Sequence, residues 1–368
     1  MAPQLKSATQ IGIEAVKRKS DPSYMTPAHF FTEVEEGRSL FGQLVNADAQ
    51  QTVVIPSVSY GMANALKNIS YTSGQHAITI SKEFPSGYFS VKNWCEIHGA
   101  DLKIVEPNQA ANQVAKDWNT RILEAISTQT AVIVLSSVHW MDGMKLDLEA
   151  IGNRCQATGT ALIVDGTQSV GALPMDVQKY KIDALICGGY KWMMTPYSMG
   201  FAYYSERFND GKPIEESWMN RNNAVQFSNL TDYDSTYKAG ANRYMVGQAS
   251  HPVQMPIAIE GLKHLLKWKP ENIQTYCKNL TAPLIGFLTE IGGSVIEESY
   301  RSSHIVGMRL PENIDSTELV TLLKSKNIIL SLRGNSIRIS PNVYNTEADI
   351  RVLMGAMEEV LKGEKLSL

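Results

Sequence analysis

The run from Ala161 to Tyr204, ALIVDGTQSVGALPMDVQKYKIDALICGGYKWMMTPYSMGFAYY, constrains the fold more than any other part of the chain. A short apolar segment ends in Asp165, and a second, Ala184 to Gly188, ends just before Tyr190 and Lys191. Near-continuous apolar segments of this length read as strands buried on both faces of a parallel sheet. The same pattern extends back to residue 51. It predicts strands at Thr52 to Ile55, His76 to Ser81, Leu102 to Val105, Ala131 to Leu135, Ala161 to Asp165, Ala184 to Gly188 and Gly200 to Tyr204. Helices are expected between them at Ser59 to Asn68, Ser90 to His98, Trp118 to Ile126 and Asp147 to Thr158. The last has an acidic start and closes on Gly159, the usual capping asymmetry. Strands joined by helical crossovers imply an α/β fold with a mostly parallel seven-stranded sheet covered by helices.

The pattern weakens from Ser205 to Gly247, which reads as loops rich in Asn, Asp and Tyr. A helical run, Pro256 to Trp268, leads to a smaller α+β unit. Helices are expected there around Ile273 to Ile291, at Ser316 to Lys326 and at Thr346 to Lys362, with strands at Ser303 to Leu310, Ile328 to Leu332 and Ser336 to Ile339. The expected organisation is an N-terminal segment over 1–20, a large domain over 21–254 and a small C-terminal domain over 255–368.

Composition narrows the class. Of 368 residues, 43% are hydrophobic and 19% charged, as in ordinary globular proteins, and the net charge of -3 gives no case for nucleic acid or an anionic membrane as partner. The four cysteines (Cys95, Cys155, Cys187, Cys277) are scattered without a CxxC pair, which argues against structural zinc or a disulfide framework and fits a reducing, cytoplasmic setting. No apolar run approaches the roughly 20 residues that span a bilayer. Neither GxGxxG nor GxxxxGK[ST] stands where a strand meets a helix, so a nucleotide-binding reading has no support.

Ligands of open α/β sheets bind outside the carboxyl ends of the strands. Asp165 and Lys191 both fall there, and such a pair suits pyridoxal phosphate, whose Schiff base takes a lysine and whose pyridinium nitrogen takes a carboxylate. Partial desolvation between Tyr190 and Trp192 would favour the neutral amine this chemistry requires. Lys191 alone also fits a surface lysine snorkelling from a strand end. Asp165 also fits a helix N-cap. Gln168 is placed to meet the ring hydroxyl, or simply to face water. Ser57-Val58-Ser59-Tyr60-Gly61 opens a helix after the first strand and could hold phosphate on its N–H groups, although a serine there is usually a cap. Phe84 could stack on a pyridine ring or belong to the core. His139 could shuttle protons or serve structure alone. Arg338 offers a fork for a carboxylate, or lies on an edge strand facing water.

Taken together, VDGTQSVGALPMDV, GGYKW and IRISPNVYNTEADI stand in an order that resembles the class V aminotransferase family, from about Asp48 to Leu361. The resemblance implies fold type I, pyridoxal phosphate as cofactor and a homodimer with active sites at the subunit interface. It makes Lys191 the Schiff-base lysine, with Asp165 on the pyridine nitrogen and Gln168 on the ring oxygen. Phe84 takes the stacking position, Val58 and Ser59 hold the phosphate, and Arg338 takes the substrate carboxylate. Loops around Trp218 and Gly240 to Arg243 would reach the neighbour's cofactor.

Three departures matter. Tyr190 stands before the lysine where desulfurases of the family usually have histidine; kynureninases have tyrosine there, and its hydroxyl could meet the phosphate. Trp140, preceded by His139, replaces a common asparagine. Residues 311–338 contain no cysteine, where a desulfurase keeps its persulfide-forming one. The expectation is therefore an enzyme acting on an α-amino acid or related amine, an aminotransferase or lyase rather than a persulfide-forming desulfurase. A kynureninase-like hydrolase or an epimerase is the alternative. A catalytically silent binding protein of the same fold is the reading from another class.

Overall fold

A computed structural model describes residues 1–364 of the chain. It divides into two compact units. The larger comprises Met1–Pro107, Trp118–Ser137 and Asp147–Lys269; the smaller comprises Asn108–Asp117, Val138–Leu146 and the chain from Pro270 onward.

The larger unit is built on a seven-stranded sheet of β1 (Thr52–Ile55), β2 (His76–Ile80), β3 (Asp101–Val105), β4 (Thr130–Ser136), β5 (Ala161–Asp165), β6 (Ala184–Gly188) and β7 (Gly200–Tyr204), in the order β1-β7-β6-β5-β4-β2-β3. β2 to β6 pair in parallel, and β7 runs against both β6 and β1. All residues of β1, β2, β4, β5, β6 and β7 are buried, which is why their sequences are apolar throughout instead of alternating. The crossover helices are α3 (Val58–Lys67), α4 (Pro85–His98), α5 (Val114–Ala125) and α6 (Leu148–Thr158). Ser57 caps α3, Asp147 caps α6, and Gly159 closes α6 with a φ of 76°.

Two helices precede the sheet: α1 (Lys6–Lys19) and α2 (Thr32–Val45). Both pack on α7 (Gln254–Trp268), and Phe41 of α2 stacks on Phe201 of β7 with ring centres 5.2 Å apart. This packing assigns residues 1–20 and all of α7 to the larger unit. The division falls at Lys269–Pro270, not at 254/255, because α7 buries its apolar face against α1 and α2.

The smaller unit carries a four-stranded antiparallel sheet of β8 (Ser294–Val295), β9 (Val306–Arg309), β10 (Ser331–Arg333) and β11 (Ser336–Ile339), ordered β10-β11-β9-β8. Met308, Ile337 and Ile339 join a core with Leu284 and Phe287 of α8 (Pro270–Glu290), Leu319 and Leu323 of α9 (Ser316–Ser325), and Leu353 and Met357 of α10 (Glu347–Glu364). The expected strand at Ile328 to Leu332 begins later. After α9 the chain turns through Asn327, φ 62°, and Ile328 folds back on this core before pairing starts at Ser331. Ser303 to Leu310 likewise shortens to β9. Among the described residues no helix is long and apolar enough to cross a membrane.

Candidate active site

In the larger unit, β1, β2, β5 and β6 deliver residues to one end of the sheet. β1 leads into Ser57–Ser59, β2 into Glu83 and Phe84, β5 ends at Asp165 itself, and β6 leads into Tyr190 and Lys191. Lys191 Nζ lies 5.5 Å from the Phe84 ring centre and 5.6 Å from that of Tyr190. Asp165 is buried and feels the Lys191 charge; its Oδ1 accepts the Thr167 N–H at 2.9 Å. Thr167 Oγ1 in turn accepts the Gly188 N–H at 2.9 Å, tying β5 to β6 beside the lysine. Gly188 has to be small: a Cβ there would stand 3.2 Å from Tyr190, 3.3 Å from Thr167 and 3.4 Å from Val58. Val58, Thr167 and Tyr190 therefore gather around one backbone position. Val58 and Ser59 are the first residues of α3, where N–H groups have no partner within the helix. Gln168 is buried and its Oε1 accepts the Trp192 indole N–H at 3.1 Å.

Burial pushes the Asp165 carboxyl above the ordinary carboxylate range; the Thr167 hydrogen bonds and the Lys191 charge oppose it without cancelling it. A second buried acid, Glu83, was not singled out by the sequence. Its Oε1 accepts the Phe84 N–H at 2.6 Å and its Oε2 the Ser136 N–H at 2.6 Å, and the Ser136 hydroxyl also donates to it. Burial raises its pKa, partly offset by Ser136, and the nearby Asp165 charge pushes it further up. Ser136 pairs in register with Asp165, so Glu83, Ser136 and Asp165 form a row across three strand ends. Glu83 lies three residues beyond the end of β2, so the rule that found Asp165, an acid where a buried strand ends, does not reach it.

The remaining residues lie in different settings. Trp218 sits among Phe30, Phe31 and Phe227, its ring centre 5.6 Å from that of Phe227. The Arg243 guanidinium lies 4.9 Å from the Tyr237 ring centre. The smaller unit holds His139, Trp140 and Arg338. His139 is buried, with Nδ1 3.0 Å from Asp142 Oδ1. Arg338 does not face water from an edge: β11 is a central strand, and Arg338 Nη1 donates to the Trp140 carbonyl at 2.7 Å.

An open pocket of about 830 Å³ lies at the opposite end of the large sheet, lined by Thr160, Asp183, Tyr203 and Arg207 among others. Asp183 in this pocket is occupied by the Leu162 N–H, Ser205 and Arg207.

A family model described as aminotransferase class-V matches residues 17–359. An uncharacterised aminotransferase of Bacillus subtilis (strain 168), YcbU, is 25% identical over 320 residues, covering 87% of this chain and 81% of the relative. A kynureninase of Bacillus cereus (strain ATCC 10987 / NRS 248) is 22% identical over 351 residues, covering 91% and 79%. Among solved structures, the cystine C–S lyase C-DES in complex with cysteine persulfide superposes with a TM-score of 0.84 at 17% identity, covering 96% of this chain and 94% of that one. That likeness bears out the expected fold type I architecture. With its family model matched over almost its whole length, the chain belongs to the class-V aminotransferase family.

Proposed function

We propose that the chain is a pyridoxal phosphate enzyme working on α-amino acids or related amines, by transamination or lyase chemistry, with Lys191 as cofactor anchor and proton carrier. The observation that carries this reading is a buried carboxylate, Asp165, set near a lysine that is rimmed by the rings of Phe84 and Tyr190. The residues fit the group. Burial leaves Asp165 short of positive charge, which a pyridinium N–H supplies. The start of α3 offers N–H groups and the Ser59 hydroxyl to a phosphate.

When bound, pyridoxal phosphate supplies an aldehyde that captures amines and a ring that accepts electrons from the substrate's Cα. Asp165 would hold the proton on the ring nitrogen. Phe84 would cover one ring face, Gln168 would meet the ring oxygen, and Tyr190 would donate its hydroxyl to the phosphate. His139 belongs to the cofactor-contacting set. Lys191 Nζ would move the proton at the substrate's Cα. Arg338 takes the α-carboxylate through its guanidinium fork. The working unit is a homodimer, in which Trp218 and Arg243 serve the neighbouring copy; Trp218 is 41% exposed within a ring cluster that such an interface would cover.

The reaction is not that of a desulfurase carrying persulfide on its own cysteine, since residues 311–338 contain none and all four cysteines are buried. A kynureninase-like hydrolytic cleavage is the second reading, favoured by Tyr190 before the lysine and by the kynureninase relative.

The test is the visible spectrum of the purified protein before and after borohydride, for wild type and Lys191→Ala. The wild type should be yellow and bleach with the cofactor fixed at Lys191. The variant should lose turnover by at least about 100-fold. A colourless protein that takes up no added pyridoxal phosphate would overturn the proposal.

A further inference from the structure

The strand register of the smaller unit puts two arginines on one face. Arg338 pairs with Ser331 across β10–β11 and Arg333 pairs with Ser336, so residues 331, 333, 336 and 338 share a side. The other side, with Ile337 and Ile339, is the hydrophobic core. Gly307 of β9 pairs with Arg338 on the polar face, and a Cβ there would run into the Asp142 backbone. This bare position lets the segment Val138–Leu146 lie directly on the sheet. Trp140 of that segment then meets both arginines: its carbonyl accepts from Arg338 Nη1 at 2.7 Å, and its ring centre lies 5.7 Å from the Arg333 guanidinium carbon.

The two cations have little to balance them. Arg333 and Arg338 each keep a buried Nε with no hydrogen-bond partner. Among the described residues neither has a salt bridge to an acid. Asp142, the nearest acid of the segment, is committed to His139 and the Met144 N–H and feels the charge of Arg309. Burial and then the Arg333 charge lower the Arg338 pKa to about 10, still a cation at neutral pH. Two half-buried guanidiniums on one sheet face, one at the Trp140 carbonyl and one by its ring, have more fork than a single carboxylate fills.

We propose that Arg333 and Arg338 form a two-carboxylate site, so that the favoured substrate is an amino acid whose side chain ends in a second carboxylate. Arg338 takes the α-carboxylate, as proposed above, and Arg333 takes the distal one; the substrate assignment rests on that reading of Lys191.

Two measurements test it on the purified protein. The first compares kcat/KM for dicarboxylic amino acids (aspartate, glutamate) with that for alanine and norvaline, in wild type, Arg333→Gln and Arg333→Lys. The ratio of dicarboxylic to monocarboxylic should fall roughly 10- to 100-fold in Arg333→Gln, the loss of one charge-assisted contact, and less in Arg333→Lys. The second is thermal stabilisation by succinate against butyrate, which needs no turnover. Succinate should raise the wild-type melting temperature more than butyrate does, and Arg333→Gln should remove the difference. An unchanged ratio in Arg333→Gln, or a succinate response equal to that of wild type, would overturn the site. A succinate response lost in Arg333→Gln, in a protein that binds no pyridoxal phosphate, would support the two-arginine site and sink the Lys191 reading alone.

Discussion

At the scale of single residues, Asp165 shows how a site can be set against the stability of its own scaffold. Burial raises its pKa, and the Thr167 hydrogen bonds and Lys191 do not fully reverse this. An acid with a folded-state pKa above its unfolded value supports the fold below the unfolded value and loses that support as pH rises through the folded one. The cofactor-free protein should therefore weaken as pH climbs out of the carboxylate range. Asp165→Asn removes the buried charge but keeps an oxygen for the Thr167 N–H. We expect cofactor-free Asp165→Asn to melt above cofactor-free wild type at neutral pH, by about 2–4 °C per kcal/mol of relief. The gap should close toward pH 4, and the variant should hold the cofactor more weakly. Melting curves across pH check this; a wild type that melts higher at every pH would contradict it. The placement of Asp165, Lys191 and Phe84 at or just beyond strand ends was legible in sequence, because the strands are buried apolar runs. Glu83, three residues beyond the end of β2, is not an acid at a strand end, and nothing in its local sequence marks its burial. The Gln168 contact with Trp192 was not legible, since it depends on how two loops fold back on each other.

At the scale of elements, the seven strands of the large sheet were found to within a residue at either end, because burial on both faces leaves nearly unbroken apolar runs in all but the exposed edge strand β3. The two leading helices were missed for opposite physical reasons. The buried face of α1 is Ala8, Gly12 and Ala15, too small to mark an apolar stripe, while Ile13 and Val16 are exposed. In α2 the stripe is interrupted by Arg38, which is only 2% exposed and is held by Glu35 and the carbonyls of Thr52 and Ala49. A glycine can likewise matter to a whole element. Gly307 lies where Val138–Leu146 crosses the small sheet, and its missing Cβ is the space taken by Asp142. Gly307→Ala should destabilise the smaller unit by about 1–3 kcal/mol through overpacking. It should also lower affinity for succinate by moving Trp140 away from the two arginines. Denaturant unfolding and a succinate titration read the two effects; a variant as stable as wild type would show that the segment is not seated on the sheet as described.

At the scale of the whole molecule, the α/β sheet followed by a smaller α+β unit was legible, but the interleaving was not. Residues 108–117 and 138–146 belong to the smaller unit although the larger surrounds them in sequence. Hydrophobic periodicity reports local structure and carries no sign of a segment that leaves one unit for another. The cysteines invite a judgement at this scale too, because their meaning depends on the complete set. Cys95, Cys155, Cys187 and Cys277 are at most 4% exposed. Burial pushes all four thiols up, Cys155 to about 12 and Cys277 to about 11, with Cys95 raised and Cys187 well above its usual value. The thiolate is the reactive form, so a protein with every thiol buried and protonated is poorly equipped to carry a persulfide. Native protein at pH 8 should resist a thiol-alkylating reagent and keep its turnover over a period in which the guanidinium-unfolded chain loses all four thiols. Mass spectrometry of the alkylated protein counts the modified sites while activity is followed in parallel. One thiol reacting rapidly in the native state, with turnover lost at the same rate, would restore enzyme-bound sulfur chemistry as the leading reading and displace direct transamination or lyase chemistry.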